Sequence, residues 1–310
     1  VKQAFIFPGQ GSQSVGMGKA LSEAFIPARE VFGAVDEALG QNLSQIMFEG
    51  PIDSLTLTEN AQPALMAVSL AVMAILEKEG GLNLADAALF VAGHSLGEYS
   101  ALAAAGAFTI PDAARLLRTR GQAMQAAVPV GKGAMAAILG LDFDAVAALA
   151  AEAAEDDVCT AANDNAPGQV VVSGDEAAVT RALALASAQG ARRAIMLPVS
   201  APFHCALMAP AADVMANALK EADLLAPKVP LVANIKASAV DDPDEIRTLL
   251  VDQVTGMVRW RESVLWMKEN GVERLVEVGA GKVLSGLARR IDKELEAVAL
   301  NTPEEIEAFM

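Results

Sequence analysis

Cysteine, histidine and net positive charge are scarce in this chain, and each scarcity excludes something. Two cysteines, Cys159 and Cys205, in 310 residues provide neither a disulfide framework nor a zinc-ligand spacing. A reducing, cytoplasmic setting is therefore expected. A formal net charge of −16 argues against a nucleic-acid-binding surface. No long hydrophobic run is present. The greasiest stretch, Pro63 to Leu76, is interrupted by Ser69 and falls short of the ~20 residues a bilayer span needs, so no membrane association is expected. The first residues, Val1 to Pro8, carry too short an apolar segment for a signal-peptide core and read as a strand. No repeats or low-complexity tails are evident. Much of the 53% hydrophobic content is alanine, a helix former, and the length suits one large domain or two smaller ones.

What is present centres on Gly93-His94-Ser95-Leu96-Gly97. An apolar run (Ala87 to Ala92) leads in and a small-residue helical run (Leu96 to Ala107) leads out, the strand–Gly-x-Ser-x-Gly–helix pattern of a nucleophile elbow. So sharp a turn holds the serine strained and exposed. The flanking glycines let strand and helix cross without side-chain clash. Free N–H groups at the start of the helix can stabilise a developing negative charge.

Strand-like and helix-like segments alternate along the chain, predicting an α/β fold with a mainly parallel sheet. The loop Pro8-Gly9-Gln10-Gly11-Ser12-Gln13 follows a strand (Ala4 to Phe7), but position 14 is serine, so the dinucleotide fingerprint fails. Backbone N–H groups aimed at a reaction centre fit this loop better, with Gln10 the candidate. Pro63 to Lys78 reads as a helix, and Gln62 ahead of it reads as helix-entry chemistry in preference to a cleft residue. In the helix Pro111 to Ala127, Arg120 falls within the apolar arc of Ala113, Leu116, Leu117, Gly121 and Met124. A buried guanidinium needs a partner; an internal salt bridge, a snorkelling side chain or a substrate carboxylate gripped bidentately would each serve.

From Gly131 to Val199 the order is strand, helix, strand, strand, helix, strand. This predicts a small ferredoxin-like (βαββαβ) domain at 131–199, with Asn163 to Gly168 as its hairpin loop. It interrupts a large α/β-hydrolase-like domain formed by 1–130 and 200–310, in which Leu231 to Ile235 reads as a strand.

A serine hydroxyl needs a neighbouring base, and there are two histidines. Consecutive side chains on a tight turn point apart, so His94 is a poor base and reads as a packing or hydrogen-bonding residue. His204, on a loop entering a helix, is the candidate base, and the adjacent Cys205 reads as packing. No acidic third member of a triad stands out, unlike an ordinary α/β-hydrolase.

Several blocks occur in a set order: Phe7-Pro8-Gly9-Gln10-Gly11-Ser12-Gln13, Gln62-Pro63-Ala64-Leu65, Gly93 to Ala101, Arg120-Gly121-x-x-Met124-Gln125, His204, and Gln253-Val254-x-x-x-Val258-x-Trp260. Spanning nearly the whole chain, they resemble the malonyl-CoA:acyl carrier protein transacylases, acyltransferases of fatty-acid biosynthesis. The resemblance implies that Ser95 carries the acyl group and His204 is the base, while Arg120 holds the malonyl carboxylate. It implies an oxyanion hole from Gln10 and the Leu96 N–H, and a histidine oriented by a backbone carbonyl near Gln253. Phe203, in Ala201-Pro202-Phe203-His204, resembles malonyl-selecting domains and implies exclusion of an α-methyl branch.

The implied reaction needs no metal or cofactor, only malonyl-CoA as donor and the phosphopantetheine thiol of acyl carrier protein as acceptor; a monomer is expected. Carrier proteins of this pathway are acidic, so a local basic patch from Lys132, Arg192, Arg193, Lys282, Arg289 and Arg290 is expected near the cleft. The alternatives are a serine hydrolase or thioesterase on the same elbow, an acyltransferase of different acyl specificity, and a non-catalytic carrier-binding module.

Overall fold

A computed structural model describes residues 1–310. Ten strands form two sheets: β1 (Gln3–Phe7), β2 (Phe90–Gly93), β3 (Gly133–Leu139), β4 (Cys159–Ala166), β5 (Gln169–Asp175), β6 (Arg193–Met196), β7 (Leu231–Val232), β8 (Ala239–Val240), β9 (Arg274–Val278) and β10 (Glu296–Leu300). The larger sheet runs β10-β9-β1-β2-β7-β8 and is parallel except for β8, which folds back on β7. The smaller runs β4-β5-β3-β6 and is antiparallel throughout. The fold is mixed α/β with a parallel-rich main sheet, as the segment alternation predicts.

The period-two alternation of β1 divides the large core. Phe5 and Phe7 point into the cluster that holds the helix Thr58–Lys78. Ala4 and Ile6 point the other way, against Trp260, Val264, Leu284 and Leu287 of the helices Trp260–Glu269 and Val283–Ile291. The sheet is thus sandwiched between helical layers, which is why its central strand is buried along its whole length. The small sheet repeats the device. Ala136, Ile138, Val170 and Val172 face its two helices, Phe143–Ala154 and Glu176–Ala188. Met135, Ala137 and Val171 face the space between the sheets.

Several sequence expectations change in detail. The helix Thr58–Lys78 starts before Pro63 and is long and apolar enough to cross a membrane, with a mean hydropathy of 1.3, yet 89% of that stretch is buried inside the fold. Its apolar surface all round serves the core. Ala87 ends a short helix, Leu84–Ala87, rather than opening the strand β2. The strand read over Leu231 to Ile235 is only two residues long, and its hairpin partner β8 has no alternating apolar pattern to announce it. Most of the Asn163 to Gly168 loop belongs to β4, leaving Pro167-Gly168 as the turn.

Two bulges in β4, at Ala161/Asn163 and Asp164/Ala166, re-aim its side chains. Asn163 and Asn165 enter the space between the sheets, while Asp164 turns to Arg261. Around this point the two sheets are stitched together. Val258 N–H donates to Ala162 O (2.8 Å) and Asp164 N–H to Val258 O (3.0 Å). The Arg261 guanidinium grips the buried Asp164 carboxylate with Nε and Nη2, the shortest contact being 2.8 Å. Removing one partner of such a pair leaves an uncompensated charge, moderated here because Arg261 is 26% exposed. Asp164→Ala is expected to lose about 2 kcal/mol of unfolding free energy by urea denaturation. A loss below about 0.5 kcal/mol would show that the pair does not join the sheets.

Candidate active site

Ser95 follows β2 and precedes the helix Gly97–Ala104 with φ at +54°. This strained position exists because the crossing is closed to side chains. A Cβ on Gly93 would lie 1.9 Å from the Gly97 carbonyl carbon, and one on Gly97 would lie 2.3 Å from Phe7 O. The elbow therefore sits against the end of β1, beside the loop that carries Gln10.

Ser95 Oγ lies 2.8 Å from His204 Nε2. On the other side of the ring, His204 Nδ1 faces Gln253 O at 2.8 Å and Gly256 O at 3.1 Å. Carbonyl oxygens only accept, so in the neutral ring Nδ1 carries the proton and Nε2 is left to accept from the serine. Two main-chain carbonyls thus fill the place of the absent acid. Burial, and then the charge of Arg120, bring the His204 pKa down to about 3.

Arg120 is buried and has no carboxylate within ion-pairing reach. The internal salt bridge and the snorkelling side chain are both absent. Nη1 donates to Gln62 Oε1 (2.8 Å), and Nη2 donates to Gln253 Oε1 (2.7 Å) and Ser95 Oγ (3.2 Å). Its guanidinium carbon is 5.7 Å from the centroid of the Tyr99 ring. Gln62 is therefore inside a helix and on the arginine, which corrects the helix-entry reading.

Ser95, Leu96, His204, Arg120, Gln10 and Phe203 all line one cavity of about 610 Å³ between the two sheets. Gln253 is fully buried behind it. The backbone N–H groups of Gln10 and Leu96 take no acceptor within the protein, as an oxyanion hole requires. His94 turns away from Ser95: its Nε2 meets Asn165 Oδ1 at 2.7 Å and its ring lies 5.6 Å from that of Trp260. Cys205 is buried, with Sγ donating to Pro202 O.

Asn234 has no counterpart in the sequence reading. Its Oδ1 accepts from Ser95 N–H (2.9 Å) and its Nδ2 donates to Gly93 O (2.8 Å), clamping the elbow from both sides. Its own N–H donates to the buried Glu98 carboxyl, whose pKa burial pushes up to about 8 against the lowering effect of that bond and of Arg120. A lone asparagine within Leu231-Val232-Ala233-Asn234-Ile235 is the signal that marks it. Asn163 and Asn165, read as loop residues, are cavity walls.

The basic residues do not form a single patch. Lys132 precedes β3, whereas Arg193 pairs with Leu139 at its far end, roughly 20 Å away at strand rise. Lys282 pairs with Glu305, and Arg289 reaches back to Ala297 O on β10. Arg290 donates to Gln169 Oε1 at 2.9 Å, at the same end of the small sheet as Arg193.

Carbonyls that orient the histidine take the place of an acid, and a buried arginine with no carboxylate partner stands beside the strained serine, so the cleft is that of an acyl-transferring serine enzyme rather than a triad hydrolase. The chain belongs to the acyl transferase family, whose domain model matches residues 4–299. It is 47% identical over 307 residues to the malonyl CoA-acyl carrier protein transacylase of Escherichia coli K12, covering 99% of this chain and 98% of that one. Among solved structures it is similar to the acyl-carrier-protein-S-malonyltransferase of Bartonella henselae, with a TM-score of 0.98 and 58% identity over 100% and 98% of the two chains. A malonyl-transacylase solved in complex with a type II PKS acyl-carrier protein superposes with a TM-score of 0.96 at 41% identity over 99% and 98% of the chains.

The low pKa of His204 sets a pH expectation. The folded ring resists a proton that the unfolded chain accepts near 6.5, so this group's contribution to stability is present above pH 6.5 and is lost as pH falls toward 3. Ser95 acylation is expected to hold its rate down to about pH 5. An acid limb centred near 6.5 would contradict a buried, neutral His204.

Proposed function

We propose that this enzyme transfers a malonyl group from malonyl-CoA to the phosphopantetheine thiol of acyl carrier protein through a malonyl ester on Ser95. The observation that carries the reading is the buried Arg120, unpaired with any carboxylate and 3.2 Å from Ser95 Oγ. A charge so placed is matched by a short acyl group with a carboxylate at its far end.

In the first half-reaction His204 Nε2 takes the Ser95 proton while Oγ attacks the thioester carbonyl. The Gln10 and Leu96 N–H groups hold the oxyanion, each such donor being worth ~10² to 10³ in rate. The C–S bond breaks, and the CoA sulfur leaves with the proton from His204. In the second half-reaction the carrier thiol gives its proton to His204 and attacks the ester. The malonyl thioester forms and Ser95 recovers its proton, a ping-pong cycle. A carboxylate on Arg120 also relieves part of the field that keeps His204 weakly basic. Phe203, 7% exposed on the cavity wall, is assigned to excluding an α-methyl branch.

The strand order β4-β5-β3-β6 with two helices on one face supports describing 131–199 as a ferredoxin-like insertion in an α/β-hydrolase-like domain made of 1–130 and 200–310. The cytoplasm is the assigned setting. Carrier docking is assigned to Arg192, Arg193 and Arg290, with Lys132 left out.

Intact-mass analysis after mixing with malonyl-CoA is expected to show one malonyl adduct, absent in Ser95→Ala. Release of free malonate without a thiol acceptor would favour the hydrolase instead. Arg120→Ala is expected to lose malonyl transfer by at least about 30-fold more than acetyl transfer, since truncating one partner of a buried charged pair costs ~2 to 5 kcal/mol. Equal losses would reject its carboxylate-binding role. Reversing Arg192 and Arg193 to Glu is expected to raise the KM for the carrier protein several-fold, roughly as for rim charges, while self-acylation by malonyl-CoA stays unchanged. An unchanged KM would remove this face from the docking assignment.

A further inference from the structure

We infer that Gln62 is a positioning residue for acyl selectivity: its neutral amide holds the Arg120 guanidinium without neutralising it, leaving the charge for the substrate. This deepens the malonyl reading and rests on it.

The helix Ile110–Ala126, which carries Arg120, crosses the helix Thr58–Lys78 at Gly121, where a Cβ would lie 2.7 Å from Thr58 O and 2.7 Å from Glu59 Cα. Only because that contact is bare can residue 62 reach the guanidinium one turn further along. Gln62 is 1% exposed. Guanidinium N–H groups only donate, so the Gln62 amide must present its oxygen to Nη1 (2.8 Å), and its NH₂ is left facing Met124 Sδ at 3.7 Å. A thioether is a weak acceptor. The amide is thus committed to the arginine and poorly served elsewhere, which indicates that its place is set by Arg120.

The groups around that guanidinium are neutral or uncommitted to it. Gln62 and Gln253 accept through amide oxygens, Ser95 through a hydroxyl, and Tyr99 offers its ring. His204 is uncharged at neutral pH. Glu98, the nearby acid, is not within ion-pairing reach, and its carboxyl accepts from Asn234 N–H. A glutamate at 62 would fit the same space and reach the same Nη1. It would then form a buried ion pair and use up the charge on which recognition of a dicarboxylic acyl group depends. Residue 62 therefore has to accept a hydrogen bond and must not be an anion.

The test is the ratio of kcat/KM for malonyl-CoA to that for acetyl-CoA, read as Ser95 acylation by intact mass, in the full chain. For Gln62→Glu the ratio is expected to fall by at least about 30-fold, the loss falling on the malonyl donor. For Gln62→Met, which keeps the positive charge but loses the acceptor, the ratio falls less, mainly through a KM increase of about 10-fold for malonyl-CoA. A wild-type ratio in Gln62→Glu, or equal losses for both acyl groups in both variants, overturns the inference. If Gln62→Glu does not fold, Gln62→Met decides alone: a selective rise in malonyl KM supports the role and a uniform loss of kcat for both donors refutes it. A wild-type enzyme without malonyl preference would instead overturn the functional reading, so the two failures are distinct.

Discussion

Gln253 joins the reacting groups of this enzyme. Its main-chain oxygen accepts from His204 Nδ1, its side-chain NH₂ donates to Ser95 O (2.9 Å), and its side-chain oxygen accepts from Arg120. One residue therefore touches the segments that carry Ser95, His204 and Arg120. Its NH₂ also reaches Asn234 Oδ1 at 3.2 Å, which in turn holds Ser95 N–H. The backbone of the strained serine is thus gripped at N–H by Asn234 and at its carbonyl by Gln253. Strain of the order of 1 to 3 kcal/mol at such a residue persists only where its surroundings over-determine it, and these bonds do so.

The electrostatics follow from the same network. A buried guanidinium is tolerable because its Nη atoms donate to Gln62, Gln253 and Ser95 and its face meets the Tyr99 ring, yet none of these is an anion. Its field adds to burial in holding His204 neutral. Burial likewise raises Glu98. The free site is accordingly a cationic pocket beside a neutral imidazole.

The cleft lies between two sheets of different kinds. The parallel sheet supplies the elbow, the Gln10 loop and the helices that carry Gln62 and Arg120. The antiparallel sheet closes the opposite wall with Met135, Asn163, Asn165 and Val171. Their separation is set by Val258, which bonds to both sides of Asn163, by the Asp164–Arg261 pair, and by Arg290 on Gln169. His94 bridges the floor of the cleft to Asn165. The walls that shape the substrate space are also the joints between the sheets.

Local chemistry made part of this legible before any coordinates. The alternation of strands and helices, the glycine-flanked Ser95, and an arginine on an apolar helix face are properties of short windows, fixed by periodicity and by backbone sterics. His204 followed by elimination, there being so few histidines. The Gln253 carbonyl came only through family resemblance, since a main-chain atom leaves no mark in residue identity, whereas the Gln10 loop and the N–H groups at the start of the helix after Ser95 follow from glycine placement and helix geometry. Tertiary structure alone decided that Gln62 faces Arg120 instead of capping a helix, that Asn234 clamps the elbow, that bulges turn Asn163 and Asn165 into the cleft, and that the basic residues separate. Each of these depends on which distant segments pack together, across sequence separations such as the 139 positions from Ser95 to Asn234. A sequence window sees propensity and pattern, but the direction of a hydrogen bond between remote segments is fixed only when the core closes around them.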